Sequence, residues 1–281
     1  MYLPRPVRRR LHERDARIRA QAQRQERARV RRLRDRRRYR YVFVVAYGRS
    51  GSTLVQGLLN TLPRTVVAGE NNFYVLNLFR SLAAMRAFRD KHKRHSVREP
   101  IGAFYRLTRI KRGPFHQAMN DVVTASILGG DKPTDYDVVG FKEVRWYRIQ
   151  PGETDDFFTA MDAAFPDVRY ILNTRSPEQV LKSGFWSKGD KDNAIAAIER
   201  TAAIHDYLRQ TRPERTLDVP YEDLVDPERV DDRLRLLAEF ATGTRPSEEL
   251  LGNLRARLSV GHGPNPFGGR DTGGPGDATD G

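Results

Sequence analysis

The 281-residue chain contains no cysteine. That excludes a disulfide framework, thiolate metal sites and a cysteine nucleophile. Its six histidines, His12, His92, His95, His116, His205 and His262, are scattered, with no HxxxH or HExxH spacing, so a metal centre is not expected. Long apolar runs are missing too. The longest near the start, Val42–Ala46, is too short to span a bilayer and too short and too late for a secretory signal. A soluble, cytoplasmic protein is the expectation. Lysine is scarce, 8 residues against 42 arginines, a bias of composition before it is one of function.

The net charge of +14 is concentrated in one place. Residues 1–40 hold 17 arginines against four acids, Glu13, Asp15, Glu26 and Asp35; the other 241 residues carry 33 basic and 32 acidic groups. The basicity belongs to an arm rather than to a folded surface, so nucleic acid is not an expected partner. The arm reads as a solvated helical or disordered segment. Contact with an anionic membrane or a partner is its functional alternative, with peripheral membrane attachment as the consequence. Residues 261–281, with eight glycines and three prolines, read as a flexible tail.

Between them, residues 41–260 alternate strand and helix patterns. Tyr41–Tyr47 (YVFVVAY) is the signature of a strand buried on both faces. Further strands are expected at 137–141, 168–172 and, more weakly, 216–219. Helices are expected at 54–62, 72–89, 114–128, 154–164, 177–186, 191–210, 229–241 and 247–258. This alternation predicts a single α/β domain with a mostly parallel central sheet flanked by helices.

Ala46–Thr53 (AYGRSGST) joins the first strand to a helix. In an α/β fold that junction binds phosphate, because backbone amides and the helix dipole converge on an anion. Gly48 and Gly51 let the chain turn, Ser50, Ser52 and Thr53 add hydroxyls, and Arg49 supplies the cation. A Walker A loop requires Gly-Lys-[Ser/Thr], and no lysine stands between Gly51 and Ser52 here. No apolar strand ends in the aspartate that would hold magnesium. A nucleotide site without magnesium machinery suits sulfuryl transfer, since a sulfonate carries less charge than a phosphoryl group.

YGRSGSTLVQGLLN resembles the 5′-phosphosulfate loop of sulfotransferases that use 3′-phosphoadenosine 5′-phosphosulfate (PAPS). Tyr170–Ser183 (YILNTRSPEQVLKS) is similar to the second nucleotide segment of that family. The resemblance implies that Arg175 and Ser183, eight residues apart, grip the 3′-phosphate, an arrangement that suits a bidentate guanidinium. Val219–Pro227 (VPYEDLVDP) resembles a third segment, which implies that Tyr221 contacts the adenine. The segments lie in family order across residues 41–227, and the fold they imply is the P-loop type. No basic residue stands out near Leu258–Gly263, where the family closes over the nucleotide. The resemblance further implies PAPS as co-substrate, 3′,5′-adenosine bisphosphate (PAP) as product, and no metal.

Transfer needs a base for the acceptor hydroxyl and positive charge at the leaving oxygen and the moving group. In the cytosolic branch the base is a histidine two residues after a strand lysine. Gly140–Trp146 (GFKEVRW) supplies Lys142 but has Val144 at that position. Val67–Phe73 (VAGENNF) resembles the Gly-Glu segment of tyrosylprotein and carbohydrate sulfotransferases, which implies Glu70 as base. Capping of the following helix is the other use of Glu70, and Glu143 and His205 are the fallback bases. Arg49 and Lys142 are the expected charge stabilisers. Asn71, Asn72, Tyr74 and the 85–135 region are expected at the acceptor, with Tyr147 and Trp186 as stacking or core aromatics. The acceptor is expected to be a small-molecule, carbohydrate or lipid-linked alcohol. A P-loop kinase-like enzyme and an anionic-surface binder acting through the arm are the rival readings.

Overall fold

The structure is a computed structural model of the chain. It describes residues 39–95, 100–109, 111–182 and 191–259. Most of the arm, the glycine-rich tail, Ser183 and Trp186 lie outside the described residues. Tyr39 and Arg40, assigned to the arm by sequence, belong to the fold: Tyr39 is buried and Arg40 opens the first strand.

Five strands form one sheet in the order β2-β3-β1-β4-β5. They are β1 (Arg40–Val45), β2 (Thr65–Ala68), β3 (Val138–Glu143), β4 (Val168–Thr174) and β5 (Thr216–Pro220). Every pairing is parallel, so the mostly parallel sheet predicted from sequence is wholly parallel among the described residues. The α-helices are α1 (Ser52–Leu59), α2 (Tyr74–His92), α3 (Gly113–Leu128), α4 (Thr154–Ala164), α5 (Pro177–Lys182), α6 (Lys191–Thr211), α7 (Tyr221–Val225), α8 (Val230–Thr242) and α9 (Glu248–Ser259).

β1 runs through the centre, and its side chains alternate between two cores. Tyr41, Phe43 and Val45 join an aromatic cluster with Phe141, Trp146, Phe158 and Phe165. Val42 and Val44 pack with Leu58, Ile171 and Leu237 on the other face. That period of two is what a strand covered on both faces requires. Gly140 lies opposite Val42 on β3, where a Cβ would run into the Val42 carbonyl oxygen. Glycine is therefore needed for β1 and β3 to approach so closely.

This strand order fixes where ligands can go. The chain leaves β1 toward β3 and β2 on one side, and β4 and β5 lie on the other. The loop after β1 thus opens at the point where the connections change direction, outside the carboxyl ends of the strands. Open α/β sheets bind their ligands in that crevice.

Candidate functional site

The β1–α1 loop is built from alternating backbone states. Arg49 has φ 69° and Gly51 φ 89°, both left-handed. Such alternation turns successive amides toward one point. α1 then starts at Ser52 with no side-chain cap, so its first-turn donors face the same crevice. Ser50 is fully buried and its Oγ has no hydrogen-bond partner. A buried orphan hydroxyl is costly, and an anion in the loop would satisfy it. Ser52 is buried, Gly48 half-buried, and Arg49 and Thr53 are exposed at the rim.

The loops after β4 and β5 close against this one. The Tyr47 hydroxyl donates to the Arg175 carbonyl at 2.6 Å and accepts from the Arg175 amide at 2.8 Å. Burial pushes the Tyr47 phenol up; the Arg175 backbone hydrogen bond partly counters this, and Glu222 adds to it. The group therefore stays protonated and can make both bonds. The Arg175 guanidinium lies 4.2 Å from the Tyr221 ring centroid and reaches the Arg49 carbonyl at 3.5 Å. Its Nε donates to Gln179. The Tyr221 ring sits directly over Gly51, leaving no room for a Cβ there. Glu222 accepts from the Ser176 amide at 2.8 Å and fastens the β5 turn to the β4 turn. Gly51, Arg175 and Tyr221, far apart in sequence, thus form one face. Ser183 lies outside the described residues.

A second cluster stands at the end of β3. Lys142 is buried, and its Nζ donates to Glu70 Oε1 at 2.8 Å. Arg145 Nη1 donates to Glu70 Oε2 at 3.1 Å. Burial alone would raise the Glu70 pKa, but Lys142 and Arg145 more than offset it and hold the carboxyl below its ordinary range. Burial disfavours charge on Arg145, yet Glu143 and Glu70 outweigh it and keep the guanidinium protonated.

The fallback bases are engaged elsewhere. Glu143 is fully buried and accepts from four backbone amides and from Arg145. His205 is buried with Nε2 3.0 Å from the Val45 carbonyl. Burial, outweighing that hydrogen bond, drops its pKa to about 4, so the ring is a neutral donor to the end of β1. Asn71 caps the Phe73 amide, Asn72 accepts from Arg148, and Tyr74 is hydrogen-bonded to Ser126. These residues shape the loop that carries Glu70.

A cavity of about 190 Å³ opens beside both loops. Gly48 of the first loop and Arg145 of the second both line it, with Val144, Tyr147, Ala194 and Ala197 among its walls. Among the described residues no group of three or more His, Asp or Glu side chains could hold a metal ion, and no helix is long and apolar enough to cross a membrane. Tyr47, Arg145 and Glu222 were not singled out from sequence. The available signal was local: Tyr47 starts the loop motif, Arg145 follows Lys142 by three, and Glu222 adjoins Tyr221.

The model of the sulfotransferase family matches residues 41–235, more than half of the chain. No curated protein matches the sequence. Among solved structures, the sulfotransferase STF9 from Mycobacterium avium is similar over 80% of this chain and 69% of its own, at 15% identity and a TM-score of 0.41. With the family model spanning all five strands, the chain belongs to the sulfotransferase family, a family of transferases that generally use PAPS.

Proposed function

We propose that this site moves a sulfuryl group from PAPS to an acceptor hydroxyl, without a metal, with Glu70 as general base. The observation that carries the reading is the Lys142–Glu70 contact at 2.8 Å on the carboxyl edge of the sheet. It sets a carboxylate beside a buried cation, on the same carboxyl edge of the sheet as the β1–α1 loop. PAPS, when bound, supplies the activated sulfonate and a phosphate leaving group.

The chain's own residues do the rest. The amides of Gly51, Ser52 and Thr53 and the orphan Ser50 hydroxyl suit the 5′-phosphosulfate. Arg175 suits the 3′-phosphate, with Ser183 as its expected companion, and the Tyr221 ring suits the adenine. In this reading Lys142 lends charge to the bridging oxygen and Arg49 to the sulfonate. Glu70 is ionised across neutral pH and ready to accept a proton. Its pairing with two cations makes it a weak base, and Lys142 strengthens it by turning toward the leaving oxygen.

Carbohydrate and lipid-linked alcohols are the acceptor classes suggested by sequence. The cavity beside Arg145 favours the second. Val144, Ala194, Ala197 and Ile198 offer a sugar ring few polar partners, and unpaired hydroxyls are costly to bury.

The test is Glu70→Gln, assayed by PAP release from PAPS with a phenol, a monosaccharide or a long-chain alcohol as acceptor. Turnover should fall about 10²–10⁴-fold, the usual share of a general base, while PAP binding is retained. Unchanged turnover would remove Glu70 from the chemistry. A monosaccharide turning over faster than the long-chain alcohol would overturn the acceptor preference.

A further inference from the structure

The geometry points to Glu143 as a positioning residue that sets the Glu70 loop for proton abstraction; this rests on the reading of Glu70 as base. Glu143 ends β3 opposite Val45, and its side chain is wholly buried. A carboxyl group buried there needs its lone pairs filled. Oε2 accepts the amides of Asn71 at 3.2 Å and Phe73 at 2.8 Å. Oε1 accepts the amides of Val144 at 2.8 Å and Arg145 at 3.1 Å, and the Arg145 guanidinium at 2.9 Å. One oxygen thus holds the chain just after Glu70, and the other holds the turn after Lys142.

The shape of the Glu70 loop depends on this arrangement. Asn72 and Phe73 are consecutive left-handed residues, at φ 59° and 54°. Non-glycine residues resist that region, a bulky one most of all. Here the strained pair turns the amides on either side of Asn72 onto a single oxygen. Charge-assisted bonds of that kind are among the stronger ones a backbone can make. The same bend seats Phe73 in the core, its ring 4.7 Å from that of Trp146.

Glu143 also acts through a side chain. The Arg145 nitrogen that it binds at 2.9 Å donates to Glu70 Oε2 at 3.1 Å. Lys142, the residue before Glu143, holds the other Glu70 oxygen. Both oxygens of the base are therefore placed by neighbours of one buried carboxylate. Glu143 has no exposed surface through which to meet an acceptor, so its part is to position.

Glu143→Gln tests this, because the amide keeps the volume but turns donors toward donors. Amide exchange at Asn71 should accelerate at least about tenfold as its bond to Oε2 is lost. Turnover, read as PAP release from PAPS, should fall about 10- to 100-fold, the scale of a misplaced reacting group, with PAP affinity held within about twofold. In a Glu70→Gln background the same change should cost less than about twofold more, since the two residues act as one unit. Unchanged exchange, unchanged turnover, or a full multiplicative loss in the double variant would each overturn the proposal. If Glu143→Gln does not fold, Arg145→Met replaces it. That variant leaves the four backbone bonds in place and should slow turnover with the same non-additivity and a protected Asn71 amide; full activity would overturn the proposal. Full activity in Glu70→Gln itself would instead sink the base reading, whereas a slow Glu70→Gln beside a fast Glu143→Gln would sink only the positioning role.

Discussion

Replacing Tyr47 with phenylalanine removes one oxygen and nothing else. That oxygen donates at 2.6 Å and accepts at 2.8 Å, both to the backbone of Arg175. The ring is buried and phenylalanine fills the same volume, so no cavity forms. Two hydrogen bonds at about 1 kcal/mol net each give a loss of about 2 kcal/mol. For a domain of this size that corresponds to a fall in Tm of roughly 4–8 °C. The larger consequence is functional. Arg175 is held between the Tyr47 clasp and the Tyr221 ring 4.2 Å away, and with the clasp gone its guanidinium is no longer presented to the crevice. PAP affinity should weaken about tenfold, equal to about 1.4 kcal/mol, although Tyr47 need not touch the nucleotide. Calorimetric titration with PAP beside thermal melting measures both effects. A lowered Tm with undiminished PAP affinity would refute the claim that the clasp serves binding, and no change in either would refute the clasp itself.

Two further outcomes follow from the same contacts. Arg175→Ala should raise the KM for PAPS before it lowers kcat, because it removes ground-state binding; a loss confined to kcat in steady-state kinetics would argue against a 3′-phosphate role. Acid should destabilise the fold through His205, whose folded pKa of about 4 lies below its ordinary 6.5. Above 6.5 both states are neutral and nothing changes. As pH falls from 6.5 toward 4 only the unfolded chain takes up the proton, so about 2 kcal/mol should be lost between pH 7 and pH 5. Glu70, with its folded pKa lowered, adds stability that is intact above its ordinary pKa and lost as pH falls through the lowered one, so its share comes at lower pH than that of His205. Denaturant melts of the wild type and His205→Gln at the two pH values check this; equal pH dependence in both would contradict it.

The doubly buried β1 was legible because five of its six residues are apolar and every one of these is needed by a core on one face or the other. Most helices fall within a few residues of their expected bounds for a related reason: their apolar spacing answers to the same two cores. β2, four residues long, carries too little pattern to delimit, and α7 is a single turn set by the β5 loop. The loops proposed to hold the nucleotide were readable as motifs because each is contiguous. What joins them was not: the Tyr47–Arg175 pair spans 128 positions and exists only because β1 and β4 are neighbours. Glu70 and Lys142 are 72 positions apart and meet through the β2–β3 pairing. The role of Glu143 depends on two left-handed residues that no apolar period announces.

Every role proposed for these residues requires a pocket that prefers an adenosine carrying phosphates at both the 3′ and 5′ positions. Thermal shift with PAP, 5′-AMP and ATP, each with and without Mg²⁺, measures that preference directly. The account predicts the largest stabilisation by PAP, independent of magnesium, as expected for a ligand that binds only the folded state. Stabilisation by ATP that requires Mg²⁺, with PAP no better than 5′-AMP, would contradict it and favour a kinase-like site.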